Sequence, residues 1–184
     1  MVAQPKAYTV EAFDDFVNLP ENADKLFEFI GGEIVEVPSN PYSSAIAATI
    51  LFFFKLFLRE NNIAGHITGA DGGYIVGQER YAPDVAFISK KRQPELPYHG
   101  YNPNPPDLAV EVVSPTDSLR KLMEKVGNYL AVGTVVWVVY PETKEIAVYA
   151  PGQPVRIFGI DDTVDGGDVL PGFRLAVKEI FPQP

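Results

Sequence analysis

The sequence has no cysteine, only two histidines and one tryptophan, and fewer bases than acids. Without cysteine there is no disulfide framework, no thiolate zinc centre and no cysteine nucleophile, which fits a reducing, cytoplasmic setting. His66 and His99 are too few for a histidine-rich metal centre. The balance of 15 Lys and Arg against 24 Asp and Glu, a formal charge of −9, argues against a protein that coats nucleic acid non-specifically, because phosphate binding normally leaves a basic surplus. Any nucleic-acid role must be local. The opening MVAQPKAYTVEAF lacks the basic-then-apolar pattern of a signal peptide. The longest apolar run, Ile46 to Leu58, is too short for a membrane span and is broken by Lys55. Gly-x-x-x-x-Gly-Lys-Ser/Thr, Gly-x-Gly-x-x-Gly after a strand, Gly-x-Ser-x-Gly and His-Glu-x-x-His are all missing, which leaves nucleotide-binding and serine-hydrolase readings without support.

What is present suits one domain over residues 1–184, with 46% hydrophobic residues to build a single core. Thr9 caps a short helix through Phe16 and Val17 that Pro20 ends. Leu26 to Ile30 and Glu33 to Val37 alternate around Gly31-Gly32, the signature of a tight hairpin. From Ser43 or Ser44 to Asn61, Ile46, Ile50, Phe53, Phe54 and Phe57 recur at helical spacing, on a face broad enough to lie deep in the fold. A glycine-rich stretch with strand-like pieces runs from Gly65 to Gly77. Strands are expected at Asp84 to Ile88 and Leu108 to Val113, with an irregular loop over 89–106 between them. Ser114 to Asp117 carries helix-start chemistry, and the helix it opens runs to Ala131. Thr134 to Tyr140 is apolar throughout, as a central strand covered on both faces would be. Further strands are expected at Ile146 to Tyr149 and Val155 to Phe158, and an aspartate-rich turn over 161–168 leads into a short terminal strand or helix. This order predicts a mixed α/β fold, a sheet flanked by helices behind an N-terminal β-hairpin. The strand at Thr134 should follow Leu108 to Val113 through a right-handed crossover.

The chemistry lies in the carboxylates. Asp84 opens a strand directly after Pro83, and Glu111 lies inside an apolar strand between Val110 and Val112. Burying such a charge is costly unless it is paired or holds a metal, and two acids brought together repel unless a cation relieves them. Mg²⁺ or Mn²⁺ suits such a pair, because Mg²⁺ takes one or two carboxylates and completes its shell with waters and phosphate oxygens. Lys121 and Lys125 share a helix face, with Tyr129 one turn further on. A lysine beside a metal-bound water can stabilise hydroxide and the charge on a scissile phosphate.

Pro83-Asp84, Glu111 within Val-Glu-Val-Val-Ser-Pro, and Lys125-x-x-x-Tyr129 together resemble the PD-(D/E)XK nuclease superfamily, and within it the Uma-two group of restriction-endonuclease-like proteins. Phe27-Glu28-Phe-Ile-Gly-Gly32-Glu33 resembles the group's early hairpin, and Gly133-Thr-Val-Val-Trp137 with Pro141 resembles its strand after the lysine helix. The resemblance implies a restriction-endonuclease-like core, metal-dependent cleavage of DNA phosphodiesters, and a homodimer. It makes Asp84 and Glu111 metal ligands, adds the Val112 carbonyl as a third oxygen, and offers Glu28 as a further acid with Glu33 behind it. Two positions depart from the superfamily pattern. Val113 stands where a lysine usually follows the acid, which moves that role to Lys125. Pro41 to Ser44 stand where many members of the group carry a histidine. These departures keep a second reading open, a nuclease fold retained for nucleic-acid or protein binding without catalysis.

Each feature also has a plain structural explanation: Pro-Asp as a turn, the lysines as a solvated face, Tyr129 as packing, Lys90-Lys91-Arg92 as a solvated loop. The acidic surplus is unevenly distributed. Residues 55–125 hold nine acids and nine bases, so all of the −9 lies outside the segment bearing the three central candidates.

Overall fold

The structure, a computed structural model, describes residues 7–37 and 40–182. Residues 1–6, on which much of the signal-peptide reading rests, lie outside it. Helix α1 (Val10–Val17) starts where Thr9 Oγ1 accepts the Ala12 N–H at 3.2 Å, and a 3-10 turn follows at Pro20–Asn22. Strands β1 (Phe27–Ile30) and β2 (Glu33–Glu36) form the expected hairpin. Gly31 and Gly32 both take positive φ, +56° and +83°, which side chains rarely adopt. Helix α2 (Pro41–Glu60) begins earlier than Ser43 or Ser44. Asn40 Oδ1 accepts the Tyr42 and Ser43 N–H groups at 3.0 and 3.2 Å, and Pro41 occupies the first turn, where no donor is needed.

Four strands follow: β3 (Gly65–Gly69), β4 (Tyr74–Val76), β5 (Glu79–Tyr81) and β6 (Val85–Ser89). Strand β7 (Leu108–Val112) leads to α3 (Leu119–Ala131), which starts later than expected. Ser114 to Asp117 form a turn instead, in which Asp117 Oδ2 accepts the Ser114 N–H at 2.7 Å. Strands β8 (Val135–Tyr140), β9 (Glu145–Tyr149), β10 (Arg156–Phe158), β11 (Thr163–Asp165) and β12 (Arg174–Ala176) and a 3-10 turn at Val177–Ile180 complete the chain.

Among the described residues the strands form three sheets where one was expected. A six-stranded sheet runs in the order β10-β9-β8-β7-β6-β3, a four-stranded one β2-β1-β5-β4, and β11 pairs with β12. Strand β6 pairs antiparallel with β7, and β7 pairs parallel with β8 across α3. Period-two alternation sorts the layers. Leu108, Val110 and Val112 face α2 and the C-terminal segment, where Phe54, Trp137 and Phe173 meet edge-on or tilted with ring centroids 5.0–6.1 Å apart. Ala109, Val136 and Val138 face α3 and the four-stranded sheet, against Ile30, Tyr81, Leu122 and Val126. Phe27 and Phe29 turn the other way in β1, onto Phe13 of α1, which leaves Glu28 and Ile30 toward α3. Each fully enclosed side chain of this size contributes roughly 2–3 kcal/mol by leaving water.

Helix α2 is long and apolar enough to cross a membrane by length and composition alone, a test that core helices also pass. Its Ile46, Ile50, Phe54 and Leu58 are buried in the core on one stripe, while Phe52 is 56% exposed, so only one side of it lies deep.

Candidate active site

Glu111 shares the α3 side of the six-stranded sheet with Ala109, so its carboxylate is aimed at the helix and away from the α2 core. The inner face of α3 carries Leu122, Lys125, Val126 and Tyr129, spaced at three and four residues, and two of these meet the acid. Lys125 Nζ donates to Glu111 Oε2 at 2.6 Å, and the Tyr129 hydroxyl donates to Glu111 Oε1 at 3.1 Å. Lys125 Nζ also donates to Glu28 Oε1 at 2.8 Å, and that oxygen accepts the Ala82 N–H at the same distance. Glu28, Glu111 and Lys125 are each only 6–7% exposed. Asp84, immediately ahead of β6, is held to the neighbouring strand because its Oδ2 accepts the Val112 N–H at 2.6 Å.

The electrostatics follow from three acids and one base in a place with little water. Burial pushes the Asp84 carboxyl up to about 6, against the Val112 N–H and the Lys125 charge, while Glu28 adds repulsion. Burial likewise drives Glu111 up, opposed chiefly by Lys125, with Glu28 and Asp84 raising it further. For Lys125, burial works against the ammonium, but Glu111 and Glu28 outweigh it and hold the side chain charged. The Tyr129 hydroxyl is kept protonated by burial and by Glu111, which leaves it a donor.

The sequence-derived set is therefore partly united. Asp84, Glu111, Lys125, Glu28, Tyr129 and the Val112 backbone form one cluster. Lys121 does not join it: its ammonium lies 2.7 Å from Glu33 Oε2, and Arg120 bridges Glu33 and Glu124 at 3.2 Å each. The Lys121 hydrogen bond holds the Glu33 carboxyl below its ordinary value. Lys121 and Glu33 thus fasten α3 to the hairpin beside the site. His66 turns to the Pro94 carbonyl, His99 packs edge-on to Tyr98, and Arg92 binds Asp107 and the Pro105 and Pro106 carbonyls. Two residues without a motif complete the surroundings. The Tyr81 ring centroid lies 5.4 Å from Lys125 Nζ and 5.2 Å from the Tyr129 ring, and its hydroxyl accepts from Asn128 Nδ2 at 2.7 Å. Both were discoverable only as neighbours: Tyr81 three residues before Asp84, Asn128 three after Lys125.

The donor set suits a hard divalent cation. It is all oxygen, it carries more negative than positive charge, and burial disfavours two of its carboxylates as free anions, a penalty that a cation relieves. Among the described residues no three Asp, Glu or His side chains converge as a metal cage. A pair of carboxylates completed by water and phosphate is the arrangement Mg²⁺ accepts.

Comparison with known proteins identifies the fold and the family. The chain shares its fold with the crystal structure of a putative nuclease belonging to DUF820 from Anabaena variabilis, at a TM-score of 0.78 and 24% identity, over 94% of this chain and 97% of that one. No curated protein matches. Residues 13–178 match the Uma2 family, described as "Putative restriction endonuclease". With nearly the whole chain inside that match, the protein belongs to the Uma2 family.

Proposed function

We propose that the protein is a divalent-metal-dependent endonuclease that hydrolyses DNA phosphodiesters at the Asp84, Glu111 and Lys125 cluster. The observation that carries this reading is the convergence of Lys125 Nζ on Glu111 and Glu28, at 2.6 and 2.8 Å, beside the electrostatically linked Asp84. Asp84 and Glu111, with the Val112 carbonyl, would hold Mg²⁺ or Mn²⁺. When bound there the ion would polarise a phosphate and acidify a water. Lys125, fixed as an ammonium, acts as a point charge toward the pentacoordinate phosphorus and not as a base, which separates two roles that a lysine in this place can play. Tyr129 keeps Glu111 in one orientation. Glu28 anchors Lys125 and itself rests on the Ala82 N–H. The proposal includes a homodimer in the cytoplasm, for which light scattering behind a sizing column is the measurement.

The binding-only reading draws on two observations: Lys125 already neutralises part of the cluster, and Val113 stands where a strand lysine would add a second cation. Plasmid and oligonucleotide cleavage in Mg²⁺ or Mn²⁺ separates the two. Wild type should cut, and Asp84→Asn and Glu111→Gln should each lose about a hundredfold or more. Equal cutting by wild type and both variants would end the assignment, and an absence of both cutting and metal binding would select the binding role.

A further inference from the structure

Helix α2 carries a second stripe, on the side away from the core. Tyr42, Ala45, Thr49, Phe52, Leu56 and Arg59 recur at alternating steps of three and four residues, the spacing of a coiled-coil seam. None of the six is buried. Tyr42 is 44% and Phe52 56% exposed, Ala45 and Arg59 are exposed, and Thr49 and Leu56 are half-buried. The Phe53 ring meets Phe52 edge-on at a centroid distance of 5.3 Å. Thr49 Oγ1 donates to the Ala45 carbonyl at 3.0 Å, so packing an apolar surface over this turn strands no hydroxyl donor. At the far end of the stripe, no carboxylate among the described residues pairs with Arg59.

The order of these residues makes the stripe complementary to itself. A two-fold axis through the point midway between Ile50 and Leu51 runs two α2 helices antiparallel. It brings together Tyr42 and Arg59, Ala45 and Leu56, and Thr49 and Phe52, one of each pair from each copy. In two of these pairs a small side chain meets a large one, which lets the helices approach closely, and in the third a guanidinium meets an aromatic ring. Lys55 and Glu60 are the only other charges on α2, and the pairing sets neither opposite a like charge. The two Arg59 positions lie about 25 Å apart, well beyond a screening length of about 10 Å. A bilayer asks for a basic surplus instead. The chain carries −9, and the two bases of α2 are confined to its last two turns.

We infer that this face is where two copies of the chain meet, as an antiparallel pair of α2 helices. The inference gives the homodimer proposed above its surface and rests on that part of the reading alone. Glu111 and α3 lie on the opposite face of the six-stranded sheet from α2, so each carboxylate cluster ends on an outer side of the dimer with its own sheet between it and the axis. The two copies therefore share no site.

Sedimentation equilibrium over a range of protein concentrations tests this without any cleavage. Wild type should be a dimer. Phe52→Glu, which enters a two-fold interface twice, should raise the dissociation constant about a hundredfold or more while the circular dichroism stays that of wild type. Tyr42→Ala and Arg59→Ala should each weaken the dimer about tenfold, and the double variant should go little further, because both remove the same contact. The chain has no cysteine, so oxidative cross-linking reads the orientation. Ala45→Cys mixed with Leu56→Cys should give a mixed disulfide, and Ala45→Cys alone should give none, since its two copies lie about 16 Å apart. A dimer that survives Phe52→Glu would overturn this surface and leave the homodimer standing. A wild type that is monomeric throughout would overturn both. Monomeric wild type that sediments with phosphatidylcholine and phosphatidylserine vesicles, but not as Phe52→Glu, would give the face to a membrane. No cleavage alongside a dimer that Phe52→Glu breaks would refute the nuclease reading and leave this interface intact.

Discussion

Asp84 is where function and stability oppose each other. Its carboxyl is raised from 3.8 to about 6, principally by burial. Between about pH 4 and pH 6 the folded protein therefore binds more protons at this group than the unfolded chain does, so its contribution favours folding at low pH and is lost as pH rises through about 6. Asp84→Asn keeps an acceptor for the Val112 N–H and removes the charge. The variant should be more stable than wild type by about 1–2 kcal/mol at pH 7–8, after discounting for partial exposure, and the gap should close near pH 4. Melting curves across that range check the sign: a variant less stable than wild type at neutral pH contradicts it. Added Mg²⁺ should raise the wild-type melting temperature and leave Asp84→Asn unmoved, because a ligand stabilises only the state that binds it. Glu111 shows how far such a residue can be read from sequence alone. An acid flanked by valines in a strand announces that it needs a partner, and alternation tells which face it occupies. Helical spacing alone does not separate Lys121 from Lys125, because residues four apart on one helix face differ only in what lies opposite, and it is the family resemblance that singles out Lys125. The hairpin's Glu33 takes the first and leaves the second for the interior.

The elements themselves differed in legibility for physical reasons. The hairpin, α1, β7 and β8 carry local signals strong enough to stand alone: a Gly-Gly turn, a threonine cap, and apolar runs that in β7 only Glu111 breaks. Strand β5 carries none. Glu79-Arg80-Tyr81 is three residues with two charges, and it is a strand because β1 and β4 flank it and Asp14 binds Arg80 through both oxygens at 3.1 and 2.9 Å. Helix α2 starts ahead of the expected Ser43 or Ser44 for a different reason: Asn40 can cap as well as either serine, and Pro41 favours it because proline is welcome in a first turn. Asn40→Ala should cost about 1 kcal/mol, since it strands the two N–H groups now bonded at 3.0 and 3.2 Å. Chemical denaturation reads this directly, and Ser44→Ala, at an exposed position inside the helix, should be near neutral. A larger loss in Ser44→Ala than in Asn40→Ala would restore the later start.

For the whole molecule, the −9 charge and the balanced middle segment together set the salt response. A surface that is mostly acidic can neutralise only a few phosphates, so the logarithm of DNA affinity should fall gently with the logarithm of salt, with a slope corresponding to a handful of released counterions. A steep slope like that of a basic-groove protein would show that binding uses a far larger surface than the site described here. The placement of that site has a mechanical side as well. Glu28 comes from the four-stranded sheet, Glu111 from the six-stranded one, and Lys125 from the helix that touches both, so the cluster works as a clasp across a seam. Lys125 and Glu111 are separated by 14 positions and Lys125 and Glu28 by 97. Under tension applied through the chain ahead of α1, the hairpin half of the clasp would part first, stripping Lys125 of one carboxylate while the β7–α3–β8 unit still held the other.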